Sequence, residues 1–113
     1  MIKATALIVD DERDIRELLS LALARMGLSS QAAGTLLEAK TLLAAQRFDV
    51  CLTDMRLPDG NGLELIEFVS QHHPSLPIAM ITAYCDVQSA VSSLKLGAFD
   101  FVSKPVDLGE LRQ

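Results

Sequence analysis

Residues 51–62 read CLTDMRLPDGNG: an apolar run, an acid at Asp54, then a loop holding Pro58, Gly60 and Gly62. A buried strand gains nothing from a carboxylate at its tip, because taking a charge out of water is costly. A carboxylate lifted to the rim of a sheet, beside a flexible loop, is placed for chemistry. What else the chain brings to that rim decides which chemistry.

Working outward, short apolar runs alternate with helical patterns. ALIV (6–9) ends in Asp10 and Asp11. Ile15, Leu18, Leu19, Ala22, Leu23 and Met26 then trace one face of a helix, with Gly27 as its C-cap. LSSQAA (28–33) is a weak strand. Thr35 and Glu38 form a capping-box pattern, and Leu36, Ala39 and Leu43 continue that helix. FDVCLT (48–53) is the third strand. Gly62, Leu65, Ile66 and Val69 mark the next helix, which closes at His72 and His73 beside Pro74, where the two histidines are expected to face solvent. LPIAMIT (76–82) is a fourth strand. Asp86 can cap a helix whose expected buried face is Val87, Ala90, Val91 and Leu94, stopped by Gly97. AFDFVS (98–103) is a fifth strand. Asp107 and Glu110 open a last helix, with Leu108 and Leu111 on its stripe, and the chain reads as cut from something longer.

Strict alternation of β and α elements, with near-continuous apolar strands, implies a parallel α/β sheet covered on both faces. Right-handed crossovers restrict the topology further. The 113 residues suit one domain with a real core, and half of them are hydrophobic while only 4% are aromatic, so Leu, Ile, Val and Ala fill it. A net charge of −5 argues against direct nucleic-acid contact, which needs a basic face. Cys51 and Cys85 lie far apart and outside any CxxC pattern, as in a reduced cytosolic protein. No apolar run reaches membrane-spanning length and the N-terminus has no cleavage signature, so the expected address is cytoplasmic. Met26, Met55 and Met80 read as core or rim packing.

In an open α/β sheet, ligands sit beyond the carboxyl ends of the strands. The first strand ends in Asp10 and Asp11, the third in Asp54, the fourth in Thr82, and the fifth in Lys104 followed by Pro105. Taken singly, each has a plain explanation: a turn acid, a β-forming threonine, a surface lysine, and at PDG a turn. Three acids, a hydroxyl and an amine on one rim are a different matter. Clustered carboxylates repel, and a hard divalent cation relieves them. Mg²⁺ takes one or two carboxylates plus phosphate oxygens and keeps several waters. No His or Cys belongs to this rim, which argues against zinc. With the ion present Asp54 can attack phosphorus, Lys104 and Mg²⁺ can neutralise phosphoryl oxygens, and Thr82 can donate a hydrogen bond. Gly60 and Gly62 are expected to let the loop bend away and admit a phosphodonor.

LIVDDE (7–12), LTDMRLPDGNGLELI (52–66), MITAY (80–84) and GAFDFVSKPVD (97–107) together resemble the receiver domain of two-component response regulators, from Ile2 to the end of the chain. The resemblance implies a flavodoxin-like, doubly wound five-stranded parallel sheet of order 2-1-3-4-5, here with its last helix truncated. It implies Asp54 as phospho-acceptor, Asp10 and Asp11 as the acidic pair holding Mg²⁺, and Arg56 as the donor of a backbone carbonyl to the ion. It implies Thr82 and Phe101 as the switch pair, Lys104 as the lysine of the site, and a cis bond to Pro105. Phe101 cannot donate a hydrogen bond, so it can report only by moving inward or outward. ITAY and GAFDFVSKPVDLGELR are similar to regulators that activate sigma-54 promoters, those of type IV pilus expression in particular. That likeness implies a sensor histidine kinase as phosphodonor. It also implies an AAA+ ATPase domain and a helix-turn-helix domain elsewhere in a longer chain, and homodimerisation as one mode of output. Where relatives commonly have Gly after Ala83-Tyr84, this chain has Cys85. It is read as a tolerated small loop residue, with a redox-responsive thiol as the sharper reading.

Two other classes share parts of this pattern. An aspartyl-phosphate hydrolase also groups Asp, Thr or Ser, and Lys around Mg²⁺, but its nucleophile ends the first strand in a DxD pattern. Here the first strand ends in adjacent Asp10-Asp11-Glu12, and the best acceptor ends the third. A degenerate receiver that only binds partners would not need the complete acid set with Thr82 and Lys104.

Overall fold

The computed structural model describes residues 4–83 and 87–103, with backbone alone at Ser103. In chain order the elements are β1 (Thr5–Val9), α1 (Arg13–Arg25), β2 (Ser29–Ala33), α2 (Leu36–Ala45) and β3 (Val50–Thr53). They continue with β4 (Arg56–Leu57), β5 (Gly60–Asn61), α3 (Gly62–His72), β6 (Ile78–Thr82), α4 (Val87–Leu96) and β7 (Asp100–Ser103). Five strands form one parallel sheet in the order β2-β1-β3-β6-β7, and β4 and β5 make a separate antiparallel hairpin. Counted without the hairpin, this is the expected 2-1-3-4-5. Tyr84, Cys85, Asp86, Lys104, Pro105 and the last helix expected near Asp107 and Glu110 lie outside the described residues.

The apolar strands are continuous because both faces of the sheet are covered. Successive side chains point to opposite faces, and the core divides accordingly. Leu7 and Val9 of β1, Cys51 of β3, and Ile78 and Met80 of β6 pack with Leu36, Ala39 and Leu43 of α2 and Leu65, Ile66 and Val69 of α3. Ala6, Ile8, Leu52, Ala79, Ile81 and Val102 point the other way, against Leu19 and Leu23 of α1. Burying a Leu or Ile side chain contributes roughly 1.5–3 kcal/mol, so this two-sided core holds the strand ends at fixed spacing. Met55 and Met80 are part of it, whereas Met26, at the C-cap of α1, is exposed.

Both faces of the sheet include one helix whose docking differs from the expected stripe. On α1, Leu19, Ala22 and Leu23 are buried but Leu18 is half exposed, because the apolar stripe is wider than the arc that reaches the sheet. On α4 the expected face is wrong. Val87, Val91 and Leu94 are exposed, while Ser93 is fully buried and its hydroxyl donates to the Ser89 carbonyl at 2.8 Å. That bond removes most of the cost of burying the hydroxyl. The small side chain also lets α4 lie close to α3 and β7, which it packs against.

The helix ends follow from local chemistry. Gly27, with φ of 86°, closes α1. Its N–H donates to the Ala24 carbonyl, and the Leu28 N–H donates to the Leu23 carbonyl, the paired bonds of a Schellman motif. The same pair of bonds closes α4 at Gly97. At the start of α2, Thr35 Oγ1 accepts from the Glu38 N–H at 3.0 Å. The Leu36 and Leu37 N–H groups donate instead to the two carboxylate oxygens of Asp59, at 2.7 and 2.9 Å. These two bonds hold the Asp59 carboxyl below its ordinary range, with the charge of Lys40 adding to the effect.

Cys51 sits fully buried in β3, and burial pushes its thiol up to about 12. A thiolate is the reactive form, so Cys51 is expected to resist iodoacetamide at pH 8 in the native protein and to react once denaturant is added. Peptide mapping that found Cys51 alkylated under native conditions would contradict its placement.

Candidate functional site

Parallel register brings the acids together. Val9 of β1 pairs with Thr53 of β3, so the next residues, Asp10 and Asp54, leave the sheet side by side. The ladder runs one bond further on each strand. The Asp54 N–H donates to the Val9 carbonyl at 2.8 Å, and the Asp10 N–H donates to the Ala33 carbonyl of β2 at 3.0 Å. Adjacent strands lie about 4.8 Å apart, which sets the spacing of the residues just past the strand ends. Carboxylate oxygens of Asp10, Asp11, Glu12 and Asp54 all lie within 4.8 Å of one another.

Two of these acids are almost wholly buried, Asp10 at 2% and Asp54 at 5% exposure, while Asp11 and Glu12 are exposed. Each buried carboxylate takes a backbone donor. Asp10 Oδ1 accepts from the Glu12 N–H at 2.9 Å, and Asp54 Oδ1 accepts from the Met55 N–H at 2.7 Å. The N-terminus of α1 begins at Arg13 and lends its positive end to the cluster. Arg16 Nη1 donates to the Asp10 carbonyl at 2.8 Å and fixes the first acidic turn. Asp54 is not sealed in. With Asp11, Glu12, Arg56, Leu57 and Pro58 it lines a cavity of about 270 Å³.

The loop after Asp54 is more ordered than the expectation of a bending, glycine-loosened segment. It is the β4–β5 hairpin, with Arg56 opposite Asn61 and Leu57 opposite Gly60. Asn61 caps α3 by accepting from the Glu64 N–H at 3.0 Å. Gly62 is needed for space rather than bending. A Cβ there would collide with the Asp54 carbonyl oxygen and lie 2.8 Å from Met80 Cε. The glycine therefore lets α3 begin directly beneath the residue that carries the acid.

Of the residues singled out from the sequence, Asp10, Asp11 and Asp54 come together, and Arg56 lies beside them on the cavity wall. Thr82 is the last residue of β6, at the same end of the sheet, and is fully buried. Phe101 is half-buried in β7 and packs against the core on the α2–α3 side. Lys104 falls outside the described residues. Glu12 joins the cluster although the sequence assigns it no role; the signal for it is the unbroken run of three acids that it completes. Asp59 carries no local signal, because the N–H groups it binds are 23 and 22 residues away in the chain. His72 is exposed and stacks on Phe68, in keeping with its place at the end of α3. With His73 it lines a larger cavity of about 420 Å³ at the opposite, amino ends of the strands, away from every acid of the cluster.

The four clustered acids offer only hard carboxylate oxygens, with no thiolate or imidazole among them. That donor set suits a cation such as Mg²⁺ or Ca²⁺ and not zinc. Their mutual repulsion is the physical reason such an ion would be drawn there. The cluster can hold a metal ion.

The chain belongs to the response regulator receiver domain family, whose model matches residues 6–113. Receivers of this family are phosphorylation-dependent switches of two-component signalling rather than free-standing enzymes. The chain is 58% identical over 113 residues to the response regulator protein PilR of Pseudomonas aeruginosa, a match covering all of this chain and 25% of that protein. It is 41% identical over 103 residues to the DNA-binding transcriptional regulator NtrC of Escherichia coli, covering 91% of this chain and 22% of that one. Among solved structures it is similar to the beryllofluoride-activated NtrC4 receiver domain dimer, with a TM-score of 0.90 and 33% identity over 96% of this chain and 89% of that one. The chain thus spans about a quarter of the length of the curated relatives it matches. No helix among the described residues is long and apolar enough to cross a membrane.

Proposed function

We propose that residues 1–113 are the receiver of a longer regulator and that Asp54 accepts a phosphoryl group from a sensor histidine kinase. The carrying observation is that Asp54 lines a cavity at the sheet's carboxyl edge with three further carboxylates within 4.8 Å. Asp10, Asp11, Asp54 and the backbone carbonyl of Arg56 would hold Mg²⁺, which when bound offsets the negative charge of the acids and of the phosphoryl oxygens. Asp54 supplies the nucleophilic oxygen, and its bond from the Met55 N–H holds the carboxylate in one orientation. Lys104 serves as the second cation for the phosphoryl oxygens. The same residues carry the domain's own dephosphorylation, in which water takes the place of the acceptor.

Added charge of about −1.5 to −2 draws the buried Thr82 hydroxyl toward the phosphoryl group and lets Phe101 change its packing. Phe101 is half-buried against the core, which leaves part of its ring free of packing. The change is a shift between two existing packings. The output is read by domains elsewhere in the full chain, an AAA+ ATPase and a helix-turn-helix unit acting at sigma-54 promoters, with homodimerisation of the receiver as one route. This domain does not itself contact nucleic acid, in keeping with its net charge of −5, and it works in the cytoplasm.

The test is Mg²⁺-dependent labelling with a small phosphodonor, mapped by mass spectrometry. Modification at Asp54, lost when EDTA is added, is the expected result. Modification elsewhere, or continuous turnover of phosphate esters at enzyme rates, would overturn it.

A further inference from the structure

The bonds that complete the N-terminus of α2 come from the tip of the hairpin beside the acid cluster. Four backbone N–H groups at a helix start lack partners within the helix. In α2, Leu36 and Leu37 donate to Asp59 and Glu38 donates to the Thr35 side chain, while Ala39 makes the first ordinary helix bond, to the Thr35 carbonyl. Asp59 is one of the two turn residues between β4 and β5, and β4 starts with Arg56, a wall residue of the Asp54 cavity. Leu57 is buried in the core cluster that also holds Leu36, so the hairpin and the first turn of α2 share packing as well as hydrogen bonds. The hairpin is tied at its base by the Gly62 N–H, which donates to the Met55 carbonyl at 2.7 Å. At its tip the tie is Asp59.

We propose that Asp59 is a positioning residue for the acid site: its two-oxygen grip on α2 fixes the hairpin and so holds the backbone at Met55 and Arg56 where a metal ion and a phosphoryl group need it. A two-residue-per-strand hairpin is too short to hold its own shape, so its position must come from attachments at its ends. Removing the tip attachment leaves the wall of the cavity held only by its base and by the packing of Leu57. The part played by Arg56 rests on the function proposed above, whereas the mechanical link between Asp59 and the hairpin base does not.

The test compares Asp59→Asn with Ala44→Gly. Asparagine keeps the shape of the side chain but turns an NH₂ toward one of the two N–H donors. Ala44 is exposed at the far end of α2, so glycine there weakens the same helix without touching the hairpin. Amide hydrogen exchange at Gly62, measured without any metal, is expected to speed up about tenfold in Asp59→Asn and to stay at the wild-type rate in Ala44→Gly. Mg²⁺ affinity, from chemical-shift titration, is expected to fall about tenfold in Asp59→Asn only. If both variants behave alike in exchange and in affinity, Asp59 is merely a helix cap and the proposal fails. If the wild type takes up no Mg²⁺, the functional reading fails, and the exchange comparison still decides the mechanical link.

Discussion

Asp54→Asn is expected to reduce phosphoryl incorporation from a small phosphodonor to background while leaving the fold intact. Asparagine is the same shape and keeps an oxygen to accept from the Met55 N–H, which Asp54 Oδ1 does at 2.7 Å. What it loses is the anionic oxygen that, in the function proposed above, attacks phosphorus. A second effect has the opposite sign and separates this loss from unfolding. Asp54 is one of four carboxylates within 4.8 Å, and it is 5% exposed. Neutralising it removes its share of the repulsion within the cluster. The variant should therefore melt above the wild type in EDTA, and the difference should shrink or reverse when Mg²⁺ is added, because a cation relieves the wild type more. Incorporation at the wild-type rate would remove Asp54 from the role of acceptor. A lower melting point in EDTA would remove the electrostatic account of the cluster.

Gly62→Ala is expected to be the most damaging single-methyl change near the site. On helix propensity alone, alanine should stabilise the first turn of α3 by up to about 1 kcal/mol. Steric fit predicts the reverse. The added Cβ would collide with the Asp54 carbonyl oxygen, lie 3.1 Å from the Asp54 carbonyl carbon and 2.8 Å from Met80 Cε. Met80 is fully buried in the core and has nowhere to retreat, and the other two atoms are backbone. Either α3 moves outward or the Asp54 backbone shifts, and overpacking of this kind costs on the order of 3 kcal/mol. For a domain of this size that is a fall of about 10 °C or more in Tm. Urea unfolding and Mg²⁺ titration should fall together, because the atom displaced belongs to Asp54, a member of the acid cluster. An unchanged or raised unfolding midpoint would show that α3 does not begin against Asp54.

The legible and illegible parts of this chain divide by the range of the interaction that fixes them. β1 and β6 can be read from TALIV and IAMIT because burial on both faces leaves an unbroken apolar run. Asp10 and Asp54 can be read because each directly follows its strand, and parallel register does the rest. The capping pair Thr35 and Glu38 lies within one turn and is equally plain. The docked face of α4 is not. Val87, Ala90, Val91 and Leu94 satisfy helical spacing, but so do Ser89, Ser93 and Leu96, and periodicity cannot choose between two stripes. The internal Ser93–Ser89 bond that makes the polar stripe tolerable is invisible to a hydropathy pattern. The β4–β5 hairpin looks like a loose turn in the sequence because two residues per strand carry no period. The role of Gly62 depends on Met80 and on the Asp54 backbone rather than on its own neighbours.

β2 is the faintest strand in the sequence for a reason that bears on the whole sheet. It lies at the sheet margin beside β1, and Ser29, Gln31 and Ala32 on it are exposed, with Ala33 alone buried. A margin strand offers a row of backbone groups to any other chain that can pair with it, and an apolar one invites that pairing. Hydroxyl and amide side chains along this margin keep the outer row hydrated and make unplanned fibril-like growth unfavourable. The weak patterning that obscures β2 is thus a safeguard for a protein whose meetings with other molecules must be governed by a signal.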